Sequence, residues 1–212
     1  MLIIVIKKKK LRFLTFFLQQ ANYICKNETQ IDSDTMKMIK TSIPEGSVLF
    51  KEEKLFDYTD SFKGELDTKR NISTEEMGRA FFTSTPQWGK KMFAFRNSVV
   101  KMFGLKTGTG SSKPLSPDEF KLEVGDQIGI FQIFDKTDRE IIIGENDKHL
   151  DFRVSLFYDN TQQNIENSFL TISTTVKYHN RMGMLYFIPV RPFHQLIVPV
   201  MLKKMIKKLE DR

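Results

Sequence analysis

Three polar residues at alternate positions are the clearest candidates for chemistry in this sequence. His149, Asp151 and Arg153 would lie on one face of a predicted strand, because successive side chains of a strand point to opposite faces. A histidine, a carboxylate and a guanidinium in such a row could act as base, orienting group and anion clamp. A solvated or ion-paired surface is the competing interpretation, because the alternate residues are apolar and suit the core. Those apolar residues are Leu150, Phe152, Val154 and Leu156.

Other kinds of catalytic or cofactor site have little support. The three histidines, His149, His179 and His194, are widely spaced, and the single cysteine, Cys25, forms no C-x-x-C pair. We therefore expect no metal site. Residues 106–119 contain GTGSSK but lack the spacing of a phosphate-binding loop, and no G-x-G-x-x-G occurs, so no cofactor is expected.

Composition and charge favour a single globular domain. The chain has 212 residues, of which 40% are hydrophobic and 28% charged. Its net charge is +7, but much of this excess lies in residues 7–10 and in the last eleven residues, LKKMIKKLEDR. Elsewhere basic and acidic residues alternate, so we expect no nucleic-acid partner. A single cysteine is typical of a reducing compartment, which indicates a cytoplasmic protein.

Residues 1–41 form a separate leader in this interpretation, followed by one domain over residues 42–212. The two apolar runs of the leader are each shorter than the roughly 20 residues of a membrane-spanning helix. Export is an alternative, but no small-x-small cleavage site follows the apolar runs. We favour a translation start at Met36 or Met38, with a surface-lying helical anchor as a third possibility.

The pattern of apolar residues predicts a series of strands. A strand is expected from Leu55, ending in a loop at Lys63 and Gly64. Short polar breaks separate residues 128–134, 140–143 and 149–158, as in an antiparallel meander. Residues 168–177 alternate most regularly and predict a strand with one solvated face. The solvated side would carry Thr171, Ser173 and Thr175, and the other side Leu170, Ile172, Thr174 and Val176.

Helices are expected in three places. Ser73 and Glu76 have the spacing of a capping box, so a short helix should follow to Phe82. A second helix is predicted from Pro86 to Gly104, followed by a mobile loop over residues 106–119. A long C-terminal helix is predicted from an apolar stripe, bent or broken by prolines. The stripe comprises Phe193, Ile197, Val200, Met201, Met205 and Leu209, and the prolines are Pro189, Pro192 and Pro199.

This order of elements predicts an α+β fold, and several segments resemble a known family. They are FF-x-S-x-P-x-W (81–88), RN-x-VV-x-x-FGL (96–105), GD-x-x-GIF (125–131), GENDKHLDFRVSLF (144–157) and YFIPVRPFHQLIV (186–198). Over residues 43–209 the sequence resembles the uncharacterised bacterial DUF2867 family, which is grouped with START-like, Bet v 1-like and polyketide-cyclase-like (SRPBCC) helix-grip folds. The resemblance implies a curved antiparallel sheet wrapped around the long C-terminal helix. It also implies two short helices after the first strand and a cavity between sheet and C-terminal helix.

An implied cavity makes several further residues candidates for ligand binding. His194 would face the sheet from the C-terminal helix, either as a satisfied core histidine or as a polar group for a ligand. Tyr186 and Arg191 could add a hydroxyl and a cation at the cavity mouth, although packing and a solvated surface are their ordinary roles. Phe193 and Trp88 are aromatic candidates, with core packing as the alternative.

Three functions are compatible with these observations. The first is a domain that binds a small hydrophobic or amphipathic molecule, since abundant Phe and Met residues could line a cavity. The second is an enzyme of cyclase or dehydratase type that uses His149 or His194 as acid or base. The third is an accessory module to an oxidoreductase, because some members of the resembled family look fused to such a domain.

Overall fold

A computed structural model describes residues 38–68, 70–84, 122–160 and 168–211 of the chain. These residues form an α+β fold with one open seven-stranded sheet, in which every neighbouring pair of strands is antiparallel. The predicted second helix, the loop 106–119, Trp88 and most of the leader lie outside the described residues. The α+β prediction is confirmed.

The sheet has the strand order β1-β2-β7-β6-β5-β4-β3. The strands are β1 (Ile39–Thr41), β2 (Tyr58–Leu66), β3 (Gln127–Ile128), β4 (Phe131–Lys136), β5 (Glu140–Asn146), β6 (Leu150–Asp159) and β7 (Ser168–Tyr178). The described helices are a 3-10 helix (Val48–Leu55), α1 (Thr74–Thr83) and α2 (Arg181–Glu210). The sheet therefore begins three residues before the predicted boundary between leader and domain.

The predicted meander is confirmed, since β4, β5, β6 and β7 are consecutive neighbours in the sheet. Each polar break forms a tight connection: the Thr137 N–H donates to the Glu140 carbonyl, and the Asp147 N–H donates to the Leu150 carbonyl. Pairing of β4 with β5 shifts register between Ile133 and Asp135, which marks a bulge. The meander forms the larger part of the sheet.

Helix α1 begins with the predicted capping box. The Ser73 hydroxyl accepts from the Glu76 N–H at 3.2 Å, and the Glu76 carboxylate accepts from the Ser73 N–H at 3.1 Å. These two bonds satisfy amides that have no partner within the helix. The helix ends at Thr83, one residue beyond the predicted end.

We expect Ser73→Ala to lower the free energy of unfolding by about 1 kcal/mol, because the first-turn amide of Glu76 loses its acceptor. Urea denaturation followed by circular dichroism would measure the change. Ser73→Asn is the matched control, since asparagine caps helices about as well as serine and should leave stability nearly unchanged. Equal losses in the two variants would contradict a capping role.

Helix α2 is the predicted long C-terminal helix, but it begins earlier than the apolar stripe. Asn180 caps it, with its side-chain oxygen accepting from the N–H groups of Met182 and Gly183. The helix bends by 55° between residues 181–188 and 190–210. Pro189 has no N–H to continue the hydrogen-bond ladder, so the predicted proline bend is confirmed at this position. Among the described residues no single helix is long and apolar enough to cross a membrane, although the two parts of α2 together would meet that test.

The main core lies between one face of the sheet and the two α-helices. Helix α2 packs against β2, β7 and α1. The most deeply buried members of this core have exposures of 0–1%, so the interface is closely packed. They include Ile141, Ile143, Leu156, Leu170, Ile172, Leu202, Met205, Ile206 and Leu209.

The prediction that the first strand ends at Lys63 and Gly64 is wrong. Strand β2 runs through both residues to Leu66. Gly64 allows a close approach here, because a Cβ atom on it would lie only 2.5 Å from Cδ1 of Ile206 on α2. The glycine that suggested a loop is therefore the place where a helix packs tightly on a strand.

The solvated face predicted for β7 is also wrong. Thr171, Ser173 and Thr175 are only 0–1% exposed. Residues 42–56 cross this side of the sheet, where Ile43 and Leu49 form a second apolar cluster with Ile142. The sheet is consequently covered on both faces, and on this second face the hydroxyls of Ser61 and Ser173 form a hydrogen bond of 2.9 Å.

Candidate functional site

A buried carboxylate lies where α2 crosses the sheet. Tyr58 and Asp60 are two residues apart on β2, so both side chains point towards α2. Asp60 is only 4% exposed, on the same face as the core residue Phe62. A carboxylate removed from water needs hydrogen-bond partners. Tyr58 and one residue of α2 contact Asp60 directly, and a second residue of α2 contacts Tyr58.

Four residues, Tyr58, Asp60, His194 and Gln195, form what we call the Asp60 cluster. The Tyr58 hydroxyl donates to Asp60 Oδ2 at 2.5 Å, and His194 Nε2 lies 3.2 Å from Asp60 Oδ1. Gln195 Nε2 donates to the Tyr58 hydroxyl at 3.3 Å. The two helix residues are adjacent in sequence and engage two strand residues, so the cluster joins α2 to β2.

His194 has one ring nitrogen committed to this cluster and one that remains available. A carboxylate can only accept, so the His194 Nε2–H donates to Asp60, and in a neutral ring Nδ1 is then an acceptor. Among the described residues, Nδ1 has no hydrogen-bond partner, and the side chain is 18% exposed. The geometry therefore orients His194 and leaves one polar atom free for another molecule.

A second polar group without a partner lies beside Asp60. Thr174 stands directly opposite Asp60 in the pairing of β2 with β7. Its Oγ1 is buried and makes no hydrogen bond to the described residues. A buried hydroxyl without a partner is costly, which makes this position suitable for a polar group brought by a ligand.

Tyr58 has a strongly perturbed hydroxyl. Burial raises its pKa above the usual value near 10, and the hydrogen bond and negative charge of Asp60 raise it further. The guanidinium of Arg191 lies 5.0 Å from the centre of the Tyr58 ring and opposes this shift only weakly. The Tyr58 hydroxyl therefore stays protonated and remains a donor to Asp60 across the neutral range.

The raised pKa makes stability depend on alkaline pH. A group whose pKa is higher in the folded state contributes stability below its unfolded pKa and loses that contribution as pH rises through the folded value. We expect wild-type stability to fall more steeply than that of Tyr58→Phe between about pH 9 and pH 11.5, a range that spans the ordinary tyrosine pKa. Urea denaturation of both proteins at intervals of pH would measure the slopes. Parallel slopes would show that Tyr58 ionises as readily in the folded protein as in the unfolded chain.

An apolar surface continues from the core, on the same face of the sheet, towards β4. Four rings, which we call the aromatic surface, are in successive contact: Phe82 with Phe81 at 5.3 Å, both with Phe131 at 5.8 and 6.0 Å, and Phe131 with Phe152 at 5.8 Å. Three of them, Phe82, Phe131 and Phe152, are only half-buried. Helix α2 packs on β2 and β7, so β4 and β6 present these rings beside it.

The structure places the three residues of the first catalytic hypothesis apart from the Asp60 cluster. His149 precedes β6, and its Nδ1 lies 3.1 Å from Asn180 Oδ1, at the cap of α2. Asp151 points to the opposite face of the sheet from α2 and pairs with His179 at 2.9 Å. The hydrogen bonds of His149 and the ion pair of Asp151 thus go to residues outside the predicted set.

Arg153 also lies on the face away from α2. Its guanidinium stacks 3.5 Å from the centre of the Phe134 ring and donates to the carbonyl of Phe152 at 2.8 Å and to Asn146 Oδ1 at 2.5 Å. Burial lowers its pKa from the usual arginine value, with the charges of Asp151 and Glu52 acting in the opposite direction. As predicted, the alternate residues Leu150, Val154 and Leu156 are buried on the core side.

The structure brings together some of the residues predicted to bind a ligand. His194 belongs to the Asp60 cluster, and Arg191 lies over the Tyr58 ring. Tyr186 is buried in a small apolar cluster that also contains Tyr58. Phe193 is 3% exposed in the core. Three of the predicted residues thus lie around Tyr58, whereas Trp88 lies outside the described residues.

Sequence reasoning missed Tyr58, Asp60, Thr174 and Gln195 as members of this site. A signal existed in the strand pattern, because Asp60 shares a face with Phe62 and Thr174 shares one with Ile172. A carboxylate on the apolar face of a strand requires a buried partner. Among the described residues, no group of three or more His, Cys, Asp or Glu side chains could hold a metal ion.

Fold and site together define an α+β domain in which a terminal helix and an antiparallel sheet share a buried carboxylate–histidine cluster. The chain belongs to the family described as "Protein of unknown function (DUF2867)", whose model matches residues 54–201, more than half of the chain. The predicted family is thereby confirmed, over a shorter range than expected. No curated protein and no solved structure matches the chain.

Proposed function

We propose that this protein binds a small amphipathic molecule beside the Asp60 cluster, with its polar group on His194 and its apolar part on the aromatic surface. The observation that carries the proposal is the orientation of His194. Asp60 holds Nε2 at 3.2 Å, while Nδ1 and the buried Thr174 hydroxyl have no partners among the described residues. An oriented polar atom beside apolar walls is the usual composition of a small-molecule site.

The distances within the sheet suit a ligand of modest length. Asp60, Thr174 and Val154 are aligned across β2, β7 and β6, and Phe152 is the next residue of β6 on the same face. Two strand spacings separate β2 from β6, or about 10 Å between backbones. A molecule with a polar end and an apolar body of roughly this length could contact His194 and Phe152 together.

We also propose that the fold is a helix-grip of the START and Bet v 1 type. Its support is the long terminal helix lying across an antiparallel sheet, with a short helix after β2 and a meander before the terminal helix. In this arrangement the ligand would lie beside α2, on the face of the sheet that carries the Asp60 cluster and the aromatic surface. A solved structure in which a long-chain amphipathic ligand lies on the face of the sheet away from α2, and none lies beside the Asp60 cluster, would contradict this placement.

Binding of a fluorescent fatty acid, cis-parinaric acid, would test the proposal, because its carboxyl group can accept from the Thr174 hydroxyl beside the Asp60 cluster. We expect a saturable rise in fluorescence as the probe enters an apolar site. Phe131→Ala should weaken binding about tenfold or more, because a large apolar contact is lost. His194→Phe should also weaken it, since this change keeps a ring of similar size but removes the polar atoms.

Phe134→Ala is the matched control for Phe131→Ala. Phe134 lies on the same strand but packs in the apolar cluster on the other face of the sheet, against Ile43 and Ile142. Its truncation should leave probe affinity unchanged once folding has been verified by circular dichroism. Failure of the folded wild-type chain to bind the fatty acid, a long-chain alcohol or an aromatic phenol would refute the proposal.

An acid–base enzyme is a second candidate function, favoured specifically by the contact between Asp60 and His194. A carboxylate that holds one imidazole nitrogen sets the tautomer and leaves the other nitrogen to move a proton. We expect nitrogen-correlated NMR spectra to show His194 protonated at Nε2, and Asp60→Asn to change that tautomer balance. In this reading, His194→Gln should lower any cyclisation or dehydration activity by at least about 100-fold while ligand binding is reduced far less.

A further inference from the structure

A second candidate site lies on the face of the sheet away from α2. A half-open pocket of about 350 Å³ is bounded by residues 41–46 on one side and by β2, β7 and β6 below. Its floor is formed by Lys63, Thr171 and Phe157, which are aligned across these three strands. The volume falls within the range of pockets that hold small molecules. This pocket shares no lining residue with the Asp60 cluster or the aromatic surface.

Two cations at opposite sides of this pocket have no carboxylate partner in the described part of the chain. Lys63 and Arg139 both line it and are half-buried. Neither forms an ion pair with the described residues, and the contact of the Lys63 ammonium is with the ring of Phe169 at 3.6 Å. Arg139 is three strands away, about 14 Å between backbones, so its long side chain and that of Lys63 can approach one ligand from two sides. Half-buried cations without counter-charges favour an anion.

Other lining groups complete a site for an organic anion. Thr171 is 1% exposed and lines the pocket between Lys63 and Phe157. The Phe157 ring supplies an apolar floor, and Gly46 lies so near it that an added Cβ would come within 3.0 Å. Two carboxylates, Glu45 and Asp159, also line the pocket, but neither pairs with Lys63 or Arg139. Glu45 is exposed to solvent, and Asp159 interacts with another group.

We propose that this pocket binds a small organic anion, a carboxylate or phosphate attached to a compact apolar group. Lys63 and Arg139 neutralise the anionic oxygens, the Thr171 hydroxyl donates to one of them, and the apolar group packs on Phe157. Bidentate bonding by the guanidinium of Arg139 suits both carboxylate and phosphate oxygens. The site is independent of the ligand proposed for the Asp60 cluster.

Protein-observed NMR titrations of the full chain with benzoate and with phenyl phosphate would test this site and distinguish the two anions. We expect saturable shifts of the amide signals of Gly46 and Thr171 with at least one of them. Benzyl alcohol, which keeps the ring without the charge, should bind at least about tenfold more weakly. Lys63→Gln and Arg139→Gln should each weaken anion binding by about tenfold or more.

Lys40→Gln is the matched control, because Lys40 is an exposed lysine of β1 that does not line the pocket. It should leave anion affinity unchanged. Equal affinity of wild type and the Lys63 and Arg139 variants would overturn the proposal. So would the absence of saturation by either anion up to about 10 mM, where a site with a Kd near 1 mM would be mostly occupied. The double variant should still bind cis-parinaric acid, which separates this proposal from that for the Asp60 cluster.

Discussion

Replacing Glu140 with alanine is expected to lower the free energy of unfolding by about 3 kcal/mol. Glu140 is 2% exposed on the face of the sheet away from α2. Its Oε1 accepts from the hydroxyls of Ser47, at 2.5 Å, and Ser155, and its Oε2 accepts from the Val48 N–H at 2.7 Å. Alanine would leave these three donors without their acceptor, and each unsatisfied buried donor costs about 1–3 kcal/mol.

The loss should be accompanied by release of the segment that Glu140 fastens. Ser47 is also the N-cap of the 3-10 helix, accepting from the Leu49 N–H at 3.2 Å. Glu140 thereby holds this helix and the adjoining residues 42–46 against the sheet. Hydrogen exchange of the Val48 and Leu49 amides should accelerate more than exchange in α1.

Glu140→Gln separates lost hydrogen bonds from lost volume. The glutamine amide can accept from the Val48 N–H through its oxygen and donate to a serine hydroxyl through its nitrogen, so we expect a loss of only about 1 kcal/mol. Glu65→Ala, at an exposed position of β2, should change stability by less than about 0.5 kcal/mol. An alanine variant at position 140 as stable as wild type would show that these contacts contribute nothing to folding. Urea denaturation at neutral pH measures all three variants.

The elements that could be predicted from the sequence are those that depend on local spacing. The capping box at Ser73, the meander and the apolar stripe of the C-terminal helix follow from periodicity or from side chains within one turn. The orientation of His194 towards the sheet also follows from its position beside that stripe. For these features the sequence distance between interacting groups is small, or the interacting surface repeats along one element.

The features that could not be predicted depend on contacts between residues far apart in sequence. Asp60 meets His194 across 134 residues, and Glu140 meets Ser47 across 93. Both are charged residues that a local pattern assigns to solvent. Gly64 predicts a loop when the sequence is read locally. The side chain that requires a glycine at this position, Ile206, lies on the last helix. The alternation of β7 likewise assigns Thr171 to water, whereas residues 42–46, which line the pocket above it, precede the strand by more than a hundred positions.

Replacing Gly183 with alanine is the second change with a large expected effect. Gly183 lies in the first turn of α2, where alanine would ordinarily favour the helix by roughly 0.5–1 kcal/mol. An added Cβ would, however, lie 2.0 Å from the carbonyl oxygen of His149. Because that oxygen belongs to the backbone and accepts from the His179 N–H, it cannot move without disturbing the β6–β7 end of the sheet. We expect a net loss of about 3 kcal/mol in the free energy of unfolding.

Gly78→Ala in α1 provides the matched comparison, because the added Cβ would there meet the end of a side chain. The nearest atom is Cδ1 of Leu122 at 2.7 Å, and a leucine rotamer can move where a backbone carbonyl cannot. The gain in helix propensity should offset most of that adjustment, so Gly78→Ala should change stability by less than about 1 kcal/mol. Similar losses at the two positions would mean that helix packing, and not the contact with His149, determines the effect.

A more stable Gly183→Ala variant would show that α2 does not begin against the turn before β6. Since the same turn contacts the Asn180 cap, Gly183→Ala should also accelerate hydrogen exchange at the Met182 amide.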